Sequence, residues 1–292
     1  LIFFQYKMNI AYHDAKYADL YEETMYNALL GSIDNEGKHF YYTNPLSSSE
    51  PRDAWHVCPC CVGNIPRTLL MIPTWTYVKS DDGIYVNLYI GSTIQVERVA
   101  GTDVEMVQKT DYPWKGDVSI TVNPKETKQF TVYVRVPNRK TSDLYTSVPA
   151  VNSLNSLTIN GTPVPMKVVK GYVAITREWK KGDKIDLVIP MEIQRVTADE
   201  KIEYDKGRVA LRYGPLLYNV EKADQPDIDQ SIGATALTLK WRPEMFNGIM
   251  TITGTWADGT PLLAIPNYIR SNRMETSPAK DRTPESIIWI KK

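Results

Sequence analysis

Cysteine is nearly absent from this chain. Its 292 residues hold three, Cys58, Cys60 and Cys61, all within four positions. An odd count in so tight a cluster cannot be a disulfide framework, and the adjacent pair Cys60-Cys61 could close only a strained ring. An excess of one charge is missing too, since 34 Lys plus Arg balance 34 Asp plus Glu. With no net charge and no basic block, the chain lacks the electrostatic footprint that nucleic-acid binding requires. No apolar run approaches the roughly 20 residues that cross a bilayer, so no membrane role is expected. The opening Leu1-Ile2-Phe3-Phe4-Gln5-Tyr6-Lys7-Met8 has neither the basic segment nor the small-residue cleavage site of a signal peptide. It reads as the interior of a buried helix, and the expectation is that a larger domain lies upstream.

What is present falls into three stretches, 1–76, 77–222 and 223–292. The first is helical. Asp14 is placed to cap a helix running to Leu30, with Ala18, Tyr21, Met25, Ala28 and Leu29 on one face and Gly31 at its stop. Phe40-Tyr41-Tyr42-Thr43 is a short β-prone run, residues 44–57 form a proline-punctuated loop, and a second helix is expected to start at Asn64 and end near Pro73. Beyond Asp81-Asp82-Gly83 the hydrophobic period becomes two. Strands are expected at 84–90, 118–122, 130–136, 157–159, 172–176, 185–189, 209–212 and 249–253, with turns at Asn160-Gly161, Lys181-Gly182-Asp183 and Asp258-Gly259. Many short alternating strands at this spacing predict a mainly β fold of β-sandwich or jelly-roll type. So small a helical segment cannot bury its own apolar faces; it either packs on the β part or ends a larger helical domain, and the apolar start favours the second.

The string Ala54-Trp55-His56-Val57-Cys58-Pro59-Cys60-Cys61-Val62-Gly63-Asn64 carries the chemistry. Thiolate is both a soft metal ligand and a strong nucleophile, and each role requires a lowered pKa. A helix N-terminus at Asn64 would supply that to Cys60 and Cys61, and a zinc ion would relieve the repulsion between neighbouring thiolates. Three readings stay open on spacing alone: buried inert thiols, a zinc site and a catalytic nucleophile. Trp55 and His56 adjoin the cluster and could line a sugar site; Tyr41 and Tyr42 could face the same cleft. His13 and His39 read as surface residues. Glu22-Glu23 and Asp81-Asp82 read as solvated pairs that do not face each other. Tyr112-Pro113-Trp114 reads as packing rather than a carbohydrate platform, and Asn160-Gly161-Thr162 as a hairpin turn rather than a glycosylation site.

Several runs together resemble one family. They are Asp14-Ala15-Lys16-Tyr17-Ala18-Asp19, Met25-Tyr26-Asn27-Ala28-Leu29-Leu30, Tyr42-Thr43-Asn44-Pro45-Leu46, Cys58-Pro59-Cys60-Cys61 with Asn64 and Arg67, Tyr85-Val86-Asn87-Leu88-Tyr89, Thr110-Asp111-Tyr112-Pro113-Trp114, Val134-Arg135-Val136-Pro137, and the stretch from Gly207 to Pro215. The chain resembles the glycoside-hydrolase family of bacterial β-L-arabinofuranosidases, long catalogued as a domain of unknown function. The resemblance implies an (α/α)6 barrel followed by β-sandwich domains, of which this chain holds the last helices and the β part. It also implies a retaining glycosidase of zinc-dependent, cysteine-nucleophile type, with Cys60 attacking the anomeric carbon. Zinc would be held by Cys60 and Cys61 together with a Glu and a Cys of the upstream barrel domain, and a separate barrel Glu would be the acid/base. Val62-Gly63 departs from the Pro-Pro that usually follows the cysteine pair. With the barrel's groups outside the chain, these residues alone are expected to be inactive. The alternative is a non-catalytic β-sandwich module that binds carbohydrate or stabilises a partner barrel; a third reading keeps structural zinc without chemistry. Reduced cysteines fit a bacterial cytoplasm, and zinc-protected thiols a periplasm.

Overall fold

The computed structural model describes residues 1–54, 57–140, 142–273 and 285–292, and leaves the Cys61 side chain undescribed. Helices Ile2–Tyr12 (α1), Ala15–Thr24 (α2) and Cys60–Trp75 (α3) all lie in the first 75 residues, and strands dominate the remainder. Asp14 caps α2 as its sequence position predicts, its Oδ1 accepting the Lys16 N–H at 3.0 Å. The helix then loosens into a π turn at Met25–Leu29 and a 3-10 turn at Leu30–Ser32, which carries it through the expected stop at Gly31 to Ile33, whose extended backbone ends it. The Phe40–Thr43 run contributes only isolated bridges from Phe40 to Ile33 and Asp53. Among the described residues, no helix is long and apolar enough to cross a membrane.

The chain divides into two compact units, each discontinuous in sequence. One comprises residues 1–22, 70–141 and 151–191, the other 23–69, 142–150 and 192–292.

The first unit holds two sheets. In the six-stranded one, Thr102–Thr110 and Asp117–Pro124 pair antiparallel, and buried and half-exposed residues alternate along both. Period two in the sequence has become one buried and one open face. In the five-stranded sheet, Lys128–Arg135 lies between Tyr172–Trp179, antiparallel, and Gly83–Val86, parallel. The strand expected at 84–90 stops at Val86 because the Asn87 and Leu88 N–H groups both turn to the Thr76 carbonyl, at 2.9 and 3.2 Å. Asn160 and Gly161 both take positive φ, 50° and 80°, and join Ser156–Ile159 to Thr162–Pro163 as the hairpin turn their sequence predicts. At Gly116 a Cβ would stand 1.9 Å from the Ile189 carbonyl oxygen, so only glycine fits.

Buried polar side chains tie the helices of this unit to its strands. Arg135 is fully buried and donates to Asp19 and Glu22 of α2, each at 2.5 Å. Arg139 donates to Glu22 at 2.8 Å and to the Tyr112 hydroxyl. Glu22 is thus sealed in an ion-pair network and is not the solvated residue its neighbourhood suggests; Glu23 is half-exposed and paired with Arg212. The period of the helix rotates Glu22 onto the same face as Ala18 and Tyr21, and the two arginines make that burial tolerable. Burial pushes the Asp19 carboxyl up to about 6, against the pull of Arg135. Burial pushes Glu22 the same way, but Arg135 and Arg139 outweigh it and hold that carboxyl below its usual range. A second cluster joins Asn9 of α1 to Tyr172 (3.0 Å) and Asn87 (2.8 Å), with the Tyr172 hydroxyl donating to Asn87 Oδ1 at 2.5 Å.

The second unit is built on one ten-stranded sheet. Its main path runs Thr238–Arg242, Ile249–Thr255, Pro261–Pro266, Leu216–Glu221, Arg208–Tyr213, Ile193–Ala198 and Tyr145–Val148. Ser286–Ile287 adds to Leu216–Glu221 and carries Ser47–Ser48 on its far side, which ties the loop before the cysteines to the sheet. Asn27 works as a clasp, donating to the Pro215 carbonyl at 2.8 Å and accepting the Leu217 N–H at 2.8 Å.

Candidate active site

The cysteine cluster sits where a loop becomes a helix. The Gly63 N–H bonds to the Pro59 carbonyl at 2.8 Å, so Pro59 opens α3 and Cys60 is its first residue. The expected start at Asn64 is four residues late. Asn64 lies inside the helix, its Nδ2 donating to the Cys60 carbonyl at 2.9 Å, and Thr68 Oγ1 donates back to the Asn64 carbonyl at 2.7 Å. Pro66 is then interior to the helix, which costs one backbone hydrogen bond; the side-chain bonds of Asn64 and Thr68 to the backbone offset part of it. The shift strengthens the chemical argument, because Cys60 and Cys61 fall in the first helical turn, where the backbone N–H groups have no intrahelical acceptor and the dipole favours an anion.

Cys58 and Cys60 are exposed, and their sulfurs are 3.3 Å apart, a hydrogen-bond distance rather than a disulfide. The reading of these two as buried inert thiols is therefore overturned. Val57 beside them is fully exposed. Of the two adjacent cysteines expected to hold zinc, Cys60 offers an exposed, soft sulfur donor of the kind that zinc binds. Two described thiols do not complete a zinc site, and among the described residues no group of three His, Cys, Asp or Glu side chains comes together. Trp55 and His56 lie outside the described residues.

The other residues that sequence reasoning singled out are dispersed. Tyr41 is buried between the guanidiniums of Arg52 and Arg270, while Tyr42 is exposed. His13 and His39 are half-buried rather than on the surface: His13 stacks on Tyr85 at 4.3 Å and His39 Nδ1 lies 2.6 Å from Asp34. Burial holds His13 below the ordinary imidazole range, with Lys170 acting in the same sense. Tyr112 packs and pairs in the ion network of the first unit, whereas Asp81 and Asp82 are exposed. Arg52 and Arg270, both buried in the second unit, carry no sequence signal, for nothing in their local sequence marks either as destined for burial. A polar groove of about 320 Å³ opens on the six-stranded sheet, lined by Lys109, Asp117, Ser119, Ser156 and Asp186 among others; it contains no nucleophilic thiol.

Known proteins resemble the chain along nearly its whole length. Residues 1–74 match the GH127 catalytic domain of β-L-arabinofuranosidase, 83–191 the GH127 middle domain, and 193–279 the glycoside hydrolase family 127 C-terminal domain. A non-reducing end β-L-arabinofuranosidase of Bifidobacterium longum subsp. longum is 27% identical over 262 residues, taking in 81% of this chain and 37% of the relative. The crystal structure of a GH127 β-L-arabinofuranosidase from Geobacillus stearothermophilus T6 superposes with a TM-score of 0.86 at 29% identity, covering 99% of this chain and 48% of that one. A second GH127 β-arabinofuranosidase structure gives 0.85 at 29% identity, with the same coverage of 99% and 48%. The chain thus spans half or less of the length of these relatives. Three domain models in family order, with the cysteine element in the segment matched to the catalytic domain, place the chain in glycoside hydrolase family 127, the β-L-arabinofuranosidase family.

Proposed function

We propose that this chain is the C-terminal part of a zinc-dependent retaining glycoside hydrolase that acts on β-L-arabinofuranosides or related plant-type glycans, with Cys60 as its nucleophile. One observation carries the reading: Cys60 is an exposed thiol at the first residue of a 16-residue helix, within 3.3 Å of a second sulfur. That is where a thiolate is most readily formed and most easily reached. The helices of 1–76 are then the end of an (α/α)6 barrel, and the sheets that follow are β-sandwich or jelly-roll domains supporting it.

In this reading the Cys60 sulfur attacks the anomeric carbon as the glycosidic C–O bond breaks. A carboxylic acid from the upstream barrel protonates the departing oxygen. Water then attacks the glycosyl-cysteine, the same carboxylate takes its proton, and the thiolate leaves; two inversions give net retention. Cys60 and Cys61 would share zinc with an upstream Glu and Cys, and the metal, when bound, lowers the thiol pKa and offsets the charge of the neighbouring thiolate. Trp55 and His56 would line the sugar. Because the acid/base and two metal ligands come from outside these residues, the 292-residue chain alone is expected to bind little zinc and turn nothing over.

The test is the full-length protein with Cys60→Ala, assayed on a chromogenic β-L-arabinofuranoside, alongside mass spectrometry for a glycosyl adduct on the wild-type cysteine. Loss of turnover by a factor of about a thousand or more, together with an adduct on Cys60, supports the reading; near-normal turnover in the variant overturns it. A second reading, a non-catalytic carbohydrate-binding module, draws on the polar groove of the six-stranded sheet and requires neither zinc nor Cys60.

A further inference from the structure

Residues 40–53 form a closed loop within the second unit. Phe40 and Asp53 exchange backbone hydrogen bonds at 2.8 and 3.0 Å, and the Tyr41 hydroxyl donates to the Glu50 carbonyl at 3.0 Å. Most of the loop's residues are exposed, yet two buried guanidiniums grip it from beneath. Arg52 donates to the carbonyls of Arg270 at 2.6 Å and Gly31 at 2.9 Å. Arg270 reaches back to the Pro45 carbonyl and to Asn44 Oδ1, and Asn44 Nδ2 donates to the Ala28 carbonyl at 2.9 Å. The Tyr41 ring lies between the two heads, 4.6 Å from that of Arg52 and 4.8 Å from that of Arg270.

This arrangement is electrostatically costly. Burial pushes the Arg52 guanidinium down to about 10, and the like charge of Arg270 acts in the same direction. If the only role were to fill space, apolar side chains would serve as well or better. What the planar forks add is direction: they tie the 28–31 turn, the 44–45 corner and the 268–270 turn to one point. The chain leaves that point at Asp53, five residues before Cys58.

We propose that Arg52 and Arg270, with Tyr41 between them, are positioning residues for the cysteine pair. They fix the exit of the 40–53 loop, and with it the path by which Cys58-Pro59-Cys60 enters the first turn of α3. Their functional weight rests on the reading of Cys60 as nucleophile; their mechanical role does not.

The experiment uses the full-length protein with Arg52→Lys and Arg270→Lys, which keep the charge but lose the fork, and Tyr41→Leu, which removes the ring and keeps both arginines. Three quantities are read: kcat and KM on the chromogenic β-L-arabinofuranoside, amide hydrogen exchange over 57–64 against 208–213, and the thermal midpoint. The expected result is a kcat at least about tenfold lower with KM within about twofold. Exchange over 57–64 rises about tenfold while that over 208–213 stays put, even where the lost buried partner lowers the midpoint. Unchanged exchange over 57–64 in all three variants overturns the proposal. So does acceleration of every segment together with a lowered midpoint, which marks a merely structural role. If instead Cys60→Ala retains turnover, the glycosidase reading falls while the exchange comparison still decides the clamp.

Discussion

The Arg135 guanidinium and the Cys60 thiol belong to sequence motifs of similar distinctness, and they end in opposite environments. Arg135 is fully buried in the first unit, bonded to Asp19 and Glu22, with the Tyr89 hydroxyl donating to its carbonyl. Asn87 and Tyr112, also from the matched runs, are buried in the same unit. Cys60, in the second unit, is exposed, with its sulfur 3.3 Å from that of Cys58. A distinctive motif is therefore not in itself a site. Most of the matched runs specify polar groups that must find partners inside a core, where a missing partner is expensive. The cysteine run specifies soft, exposed groups instead.

That contrast can be broken by stability measurements. Arg135→Met should have the largest effect, a loss of about 3–5 kcal/mol in urea unfolding, because it leaves Asp19 and Glu22 buried without a shared counter-ion. A loss under about 1 kcal/mol would mean the carboxylates can reach water and the network is not closed. The pH dependence of Asp19 comes next. Its carboxyl is pushed up to about 6 in the folded state, above the unfolded value, so the folded chain binds this proton more tightly. The contribution to stability is then favourable at low pH and is lost as pH rises through about 4 to 6, by up to about 1.4 kcal/mol per unit. Glu22 runs the other way, its depressed pKa adding stability that is lost on acidification. The difference between wild type and Asp19→Asn isolates the first effect; an identical pH profile in the two proteins would remove it. Tyr172→Phe should cost about 1–3 kcal/mol, since Asn9 and Asn87 each lose a buried partner. Smallest of all, Cys60→Ala should shift the stability of the chain by under about 0.5 kcal/mol while abolishing turnover in the full-length protein. A large destabilisation there would mean that the thiol is structural after all.

How far the sequence could be read depended on the range of the forces involved. Alternation is local and strong, so Val118–Val122, Phe130–Val136 and Tyr172–Thr176 lie within or nearly coincide with the strands observed, and Asn160-Gly161 turns as its residue types require. The helix start at Asn64 was misplaced because Asn64 is a good cap and Pro66 an acceptable early residue. Pro59 and the side-chain bonds of Asn64 and Thr68 carry the helix four residues further back, to Cys60. Glu22 could not be recognised as buried, because its partners lie 113 and 117 positions away in the chain.

By itself, the sequence determined the mainly β character, the turn positions, the family and the one cluster of groups able to act as a soft nucleophile or metal ligand. These follow from residue types within a few positions of one another. Only the tertiary structure decided that residues 23–69 join 192–292 in one unit, that Glu22 is sealed beneath two arginines, and that Arg52 and Arg270 close on the loop leading to the cysteines. Each of these brings together groups far apart along the chain. The cost of burying a charge is set by the partner that arrives from elsewhere, and no local pattern records that partner.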